Sequence, residues 1–348
     1  MRNSLKPAVG LICLMALACA GCTTKTEESA SPPGSSPASS AGAPTASEES
    51  PTETARTATV YAPYVNATDA SDLDDAGSAA AYNLAFVIAE GDGDACTPAW
   101  NGTEAIDDSA VRSRISALTS SGASVRVSFG GASGTELAQA CDSASELAEA
   151  YGAALDAAGS TAADFDVEGD ALKDSGSVAL RSEAIALLQE DRPDLSVSFT
   201  LPVMPSGLDD DGVALLDSAN DKAVQVTTVN IMTMNYASSY DGDMGDYAEQ
   251  AAEATHEQLM DVFGTSESTA WGALALTSML GVNDVDNETF TLRDAAQVRA
   301  FAEEKGVAWV SMWATFRDQE CGDGASDALV DCSGVDQEDG AFGEAFSG

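Results

Sequence analysis

Residues 164–168 read Asp164-Phe165-Asp166-Val167-Glu168, acids at every second position with a large apolar residue between each pair. Period-two alternation is the pattern of a β-strand, so Asp164, Asp166 and Glu168 face one way while Phe165 and Val167 face the other. On a solvated edge strand such a row costs little. In a central strand it costs a great deal, because burial and mutual repulsion both oppose the charged forms. The same repulsion raises at least one pKa of the row. A carboxyl kept protonated near neutral pH is a general acid, and Glu168 is the candidate. The protons belong to the row as a unit.

Composition removes the competing chemistries. The chain has one histidine, His256, so a Ser-His-Asp or Cys-His relay must run through it and a poly-histidine metal site is out of reach. His256 sits in a helical stretch, where a packing or surface role is expected. Acidic residues outnumber basic ones 57 to 15, a net charge of −42, which repels nucleic acid and anionic headgroups. So negative a surface suits high salt, and stability is expected to rise toward molar NaCl. Asp92-x-Asp94 and Asp241-x-Asp243 lack full EF-hand spacing and read as solvated acidic loops. No metal or other cofactor is expected.

The elements that must position the acids follow from residue 57 onward. Apolar β-rich runs at 58–65, 82–89, 125–130, 164–168, 195–201, 228–234, 271–276 and 307–314 alternate with Ala-rich stretches of helical periodicity at 109–120, 143–157, 178–190, 212–219, 246–263 and 292–304. Strands apolar on both faces and separated by helices make a parallel sheet covered by helices. Eight such units over residues 57–348 predict an α/β fold of the (β/α)8 TIM-barrel type as a single domain. A doubly wound open sheet is the alternative, but the Gly-rich nucleotide turn after the first strand is missing. In a barrel the chemistry lies at the C-terminal ends of the strands.

The ends of the chain point outside the cell. Arg2 and Lys6 precede an apolar run, residues 8–20, too short to span a bilayer, and Ala20-Gly21-Cys22 resembles a lipobox with Cys19 where Leu is usual. Residues 1–22 are expected to be a lipoprotein signal peptide, with Cys22 lipidated and the product lipid-anchored at the cell surface or secreted. Residues 23–56, rich in Ser, Thr, Pro, Ala and Glu, are expected to be a disordered linker. Membrane contact is expected only through the anchor. Of the 7 cysteines, Cys96, Cys141, Cys321 and Cys332 remain for an oxidising compartment. Three pairings are possible. Cys96–Cys141 with Cys321–Cys332 is favoured because the second pair is close in sequence; a zinc site is the rival.

Four motifs now carry a resemblance. Asp164-x-Asp166-x-Glu168 resembles the end of the DxxDxDxE signature of glycoside hydrolase family 18, the chitinase family. Ser128-Phe129-Gly130-Gly131 is similar to its SxGG motif. Met232-Thr233-Met234-Asn235-Tyr236 is similar to its Met-x-x-Asp-Tyr segment, and Met312-Trp313 to the tryptophan under the −1 sugar. Tyr61-Ala62-Pro63-Tyr64 and residues 201–208 look like segments of secreted actinobacterial chitinases. The resemblance covers roughly residues 57–320.

It implies retaining, substrate-assisted hydrolysis of β-1,4-linked N-acetylglucosamine, in chitin or its oligosaccharides, by a monomer. Glu168 would be the acid and then the base, and the substrate's acetamido oxygen the nucleophile. Asp166 would hold the acetamido N–H, Asp164 would share a proton with Asp166, and Tyr236 would bind the acetamido carbonyl. Trp313 would floor the sugar, with Met232, Asn235, Tyr61 and Phe86 as further cleft residues. The chain departs from the pattern at Thr161, where the first Asp of the signature is usual, at Ala162 in place of Gly, and at Asn235 in place of Asp. Alternatives that share the barrel are an endo-β-N-acetylglucosaminidase acting on N-glycans and a non-catalytic sugar-binding lipoprotein. Trp100, Trp271 and Trp309 are candidates for sugar contact or for core, with core favoured for Trp309.

Overall fold

The computed structural model describes residues 58–93, 95–322 and 331–348, all inside the compact unit Glu53–Gly348. The expected leader with Cys22, the linker at 23–56 and Asp94 lie outside the described residues.

The first predicted strand is in fact two pieces, Val60–Tyr61 and Tyr64–Asn66, together β1. It is followed by Ala81–Ala89 (β2), Ser124–Gly130 (β3), Ala162–Asp166 (β4), Ser196–Pro202 (β5), Val226–Met232 (β6), Leu274–Met279 (β7) and Trp309–Trp313 (β8). Neighbours from β2 to β8 pair in parallel in chain order. The two halves of β1 join the ends. Val60–Tyr61 pairs with β8 and Tyr64–Asn66 pairs with β2, both parallel. The break between them lets one segment serve both edges: the Ala62 amide donates to the Val310 carbonyl at 2.9 Å, while the Pro63 carbonyl accepts from the Asn83 amide at 2.9 Å. Proline, with no N–H to give, fits the point of transfer.

Helices cover the outside: Ser109–Leu118 (α1), Ala144–Ala158 (α2), Ser175–Asp191 (α3), Asp210–Asp221 (α4), Met244–Phe263 (α5), Leu292–Lys305 (α6) and Ala341–Ser347 (α7). Their starts follow capping chemistry. Asp108, Ser143, Asp209 and Asp243 accept from first-turn amides, and Thr291 with Asp294 forms a capping box. Asp243, met above in an acidic loop, is thus a helix cap.

Register decides what faces where. Phe129, Phe165 and Phe199 stand side by side on β3, β4 and β5, fully buried, with ring centroids 5.3 and 5.7 Å apart. Each contributes about 1.5–3 kcal/mol of burial against the helical layer. One position along, Ser128, Asp164 and Ser198 are register partners on the opposite face, and that face is the barrel interior.

Several sequence expectations need correction. β4 ends at Asp166, so Glu168 lies beyond it as the N-cap of a short helix, Gly169–Lys173. Gly169 (φ 58°) turns the chain there, a conformation glycine adopts without steric cost. Trp271 belongs to the helix Glu267–Gly272 and not to β7. Its indole stacks on His256 at 4.1 Å, which gives that histidine its packing role. Trp100 and Trp309 are core residues. Both favoured disulfides are present, Cys96–Cys141 and Cys321–Cys332. Among the described residues, no helix is long and apolar enough to cross a membrane.

Candidate active site

Asp164 lies at the bottom of the site, 1% exposed. Hydroxyls surround its carboxylate: Tyr64 and Ser128 donate to Oδ2 at 2.9 and 2.6 Å, and Ser198 and Thr200 donate to Oδ1, both at 2.8 Å. The Thr200 oxygen in turn accepts from Asn230 Nδ2 at 2.9 Å, and Asn230 Oδ1 accepts from Thr277 at 2.9 Å. The inward residues of β3 through β7 thus form one polar chain that ends on this carboxylate.

Asp166, two residues on, is provided for differently. It is 6% exposed and its Oδ1 has no partner. Burial pushes its pKa well above the usual carboxylate range, and the charges of Glu168 and Asp164 push it further. Its backbone carbonyl accepts from the Gly131 amide at 3.0 Å. The approach is so close that a Cβ on Gly130 (φ 101°) would collide with that oxygen, and one on Gly131 would strike the Phe86 ring. The glycine pair therefore sets both the acid and the aromatic beside it.

Glu168 is partly buried. Its pKa is raised, first by burial and then by the charge of Asp284. Both Asp166 and Glu168 line a cleft of about 360 Å³ at the C-terminal mouth of the barrel. Phe86 and Trp313 form one side, stacked at 5.5 Å, with Tyr64 edge-on to Trp313 at 5.8 Å. Met204, Met232, Met234 and Met279 line the cleft with Asn235 and Asp284. Asn235 sits in the left-handed region, φ 55°, which asparagine tolerates better than most residues.

The predicted site residues are thereby sorted. Asp166, Glu168, Trp313, Met232, Asn235 and Phe86 line the cleft. Asp164 and Tyr236 do not line it. Asp164 stands beneath, its carboxylate taken up by four hydroxyls. Tyr236 is 3% exposed, and its hydroxyl is buried without a partner. Burial and the charge of Glu288 hold its pKa well above that of free tyrosine. Tyr61 was expected in the cleft and is not there: its ring stacks on Phe346 at 6.2 Å and its hydroxyl reaches Met312 Sδ at 3.4 Å. The break at Ala62-Pro63 carries Tyr64 to the mouth in its place. Sequence reasoning missed Tyr64, Met204, Asp209, Met279 and Asp284. Met204, Met279 and Asp284 lie at or shortly past the C-terminal ends of β5 and β7, a usable signal, whereas Tyr64 opens the second half of β1 and Asp209 caps α4.

A parallel barrel closed by its own first strand, with paired carboxyls and stacked aromatics at the C-terminal mouth, is a TIM-type barrel with its cleft where such barrels carry their chemistry. Comparison with known proteins shows what the chain is similar to. Over 306 residues the chain is 31% identical to a "Probable bifunctional chitinase/lysozyme" of Escherichia coli (strain K12), covering 83% of this chain and 34% of that protein. Over 277 residues it is 30% identical to Endochitinase 11 of Metarhizium anisopliae, covering 74% of this chain and 52% of that one. The chain thus spans about a third and about half of the lengths of these relatives. Active domain 2 of the Pyrococcus furiosus chitinase, solved as catalytic-site mutants with chito-oligosaccharides, superposes with a TM-score of 0.73 at 29% identity, covering 83% of this chain and 94% of that one. A GH18 chitinase from Pseudoalteromonas aurantia shares the fold, with a TM-score of 0.51 at 14% identity over 74% of this chain and 94% of that one. No family model matches. The chain is thus similar in sequence to chitinases and shares the fold of solved chitinase domains.

Proposed function

We propose that the protein is a chitinase that cleaves β-1,4-linked N-acetylglucosamine chains with retention of configuration. The observation that carries the reading is the pair Asp166 and Glu168: both line one cleft, both have raised pKa values, and one Asp166 oxygen is left without a partner. Glu168, held protonated, gives its proton to the glycosidic oxygen as the bond to the leaving sugar breaks. The acetamido oxygen of the sugar that stays attacks its own anomeric carbon. Positive charge then develops on the acetamido group, and Asp166 accepts the N–H and stabilises that charge. Sharing of the Asp166 proton with Asp164, two residues before it on β4, is part of the same proposal. Glu168, now charged, takes a proton from the water that opens the ring. Trp313 and Phe86 give the sugar face an apolar wall. Tyr236, whose buried hydroxyl lacks a partner, is proposed as the donor to the acetamido carbonyl, reached when substrate fills the cleft.

Export with Cys22 as a lipid anchor, and action as a monomer, are part of the same proposal; Ala20-Gly21-Cys22 supports the anchor. So is the actinobacterial cast of the segments at 61–64 and 201–208. Glu168→Gln keeps the shape of the side chain and removes the acid. Release of soluble product from chito-oligosaccharides is expected to fall by about three orders of magnitude, with melting temperature little changed. Turnover within tenfold of wild type would overturn the assignment.

A further inference from the structure

The loops after β6 and β7 are clamped together by Asn235. Its Nδ2 donates to Asp284 Oδ2 at 2.9 Å, and its Oδ1 accepts from the Asp284 and Val285 amides at 2.9 and 3.2 Å. A carboxylate at 235 could accept the two amides but would have nothing to donate, and two like charges would meet. The amide therefore fixes the carboxylate of Asp284, an exposed residue, on the wall of the cleft. Asp209 lines the same cleft, and none of the lining residues is Lys, Arg or His. Deeper in lies Asp166, nine-tenths buried with an unpartnered oxygen. A largely apolar cleft with acids and no basic residue in its lining, on a chain of net charge −42, offers a neutral polymer nothing for that charge, but it attracts a cationic one.

We propose that Asp284 is a specificity-determining residue, positioned by Asn235, whose carboxylate receives the ammonium of an N-deacetylated sugar adjoining the acetylated sugar over Asp166 and Glu168. The preferred substrate is then partially deacetylated chitin. The acetylated sugar is still required, because it supplies the nucleophile; this inference rests on the hydrolase reading above and refines its substrate class.

The test compares a fully acetylated chitin hexamer with a partially N-deacetylated one of the same length. It measures kcat/KM for the wild type and Kd for Glu168→Gln, which separates binding from turnover. At low salt and mildly acidic pH the deacetylated hexamer is expected to be favoured about fivefold in both, and the preference to collapse in molar NaCl. Asp284→Asn, which can still accept from Asn235, is expected to bring the ratio close to one. Asp191→Asn, at the far end of α3, is expected to leave it unchanged. A wild-type ratio at or below one, or a ratio that survives Asp284→Asn, overturns the proposal. Preferential binding without turnover by the wild type would sink the hydrolase reading and leave the cation preference standing.

Discussion

Glu136 and Asp166 are neighbours across the backbone of Gly130, both carboxyl-bearing and both buried, at 5% and 6% exposure. They are provided for in opposite ways. Glu136 receives Arg181 Nη2 at 2.6 Å, the Tyr151 hydroxyl at 2.9 Å and the Ala138 amide at 2.9 Å. Asp166 has no cation beside it and one oxygen without a partner. The first is a buried charge that the fold has saturated. The second is left short, and the deficit shows as a pKa pushed upward by burial and by its two acidic neighbours. A buried acid that holds a structure together and one proposed to serve a ligand differ here in their partners, not in depth.

The contrast can be broken most severely at Glu136. Glu136→Ala leaves the Arg181 charge buried and uncompensated, and is expected to cost about 3–5 kcal/mol in the urea unfolding free energy. A loss below about 1 kcal/mol would show that the pair is not what holds this side of the barrel. Asp166→Asn works in the other direction. It removes a buried, crowded charge, so stability at neutral pH is expected to rise by about 1–2 kcal/mol while turnover falls.

The pH dependence sharpens the second case. A carboxyl whose folded pKa is raised contributes stability that is fully present below its unfolded pKa and lost as pH rises through the folded value. The melting-temperature gap between Asp166→Asn and wild type is therefore expected to be small in acid and to widen toward neutral pH. A gap that is constant across that range would remove Asp166 titration as its cause. The smallest effect is on the rate profile. In the proposed mechanism Glu168 must be protonated to act, and its pKa is raised by burial and by Asp284. The alkaline limb of kcat/KM should accordingly lie above that of an ordinary glutamate, and Asp284→Asn should move it to lower pH, a displacement read from the profile alone.

Much of this was legible in the sequence, for identifiable reasons. Alternation in residues 164–168 announced an inward row, and the SxGG glycines announced a close approach to it. What alternation could not tell was that the strand stops at Asp166 and that the chain turns at Gly169 just past Glu168, a backbone choice that leaves no trace in hydropathy. Tyr61 and Tyr64, three apart, fall on opposite faces of a strand, but periodicity alone does not say which of the two faces the cleft. Only the two-edged pairing of β1 sends Tyr61 against Phe346 in the helical layer and Tyr64 inward to Asp164. Asp284 was invisible because its role depends on contact with Asn235, 49 residues away. The two disulfides were found from spacing and compartment alone.

The division of β1 between β8 and β2 also bears on how the molecule is made. Val60 is hydrogen-bonded to a neighbour of Trp309, and Thr59 to the carbonyl of Val307. A ring whose first strand is the mate of its last cannot be completed while the ribosome still holds the C-terminal segment. The opening strand, with Tyr61 still uncovered, must wait for nearly the whole chain, and a closure of such long sequence separation is slow.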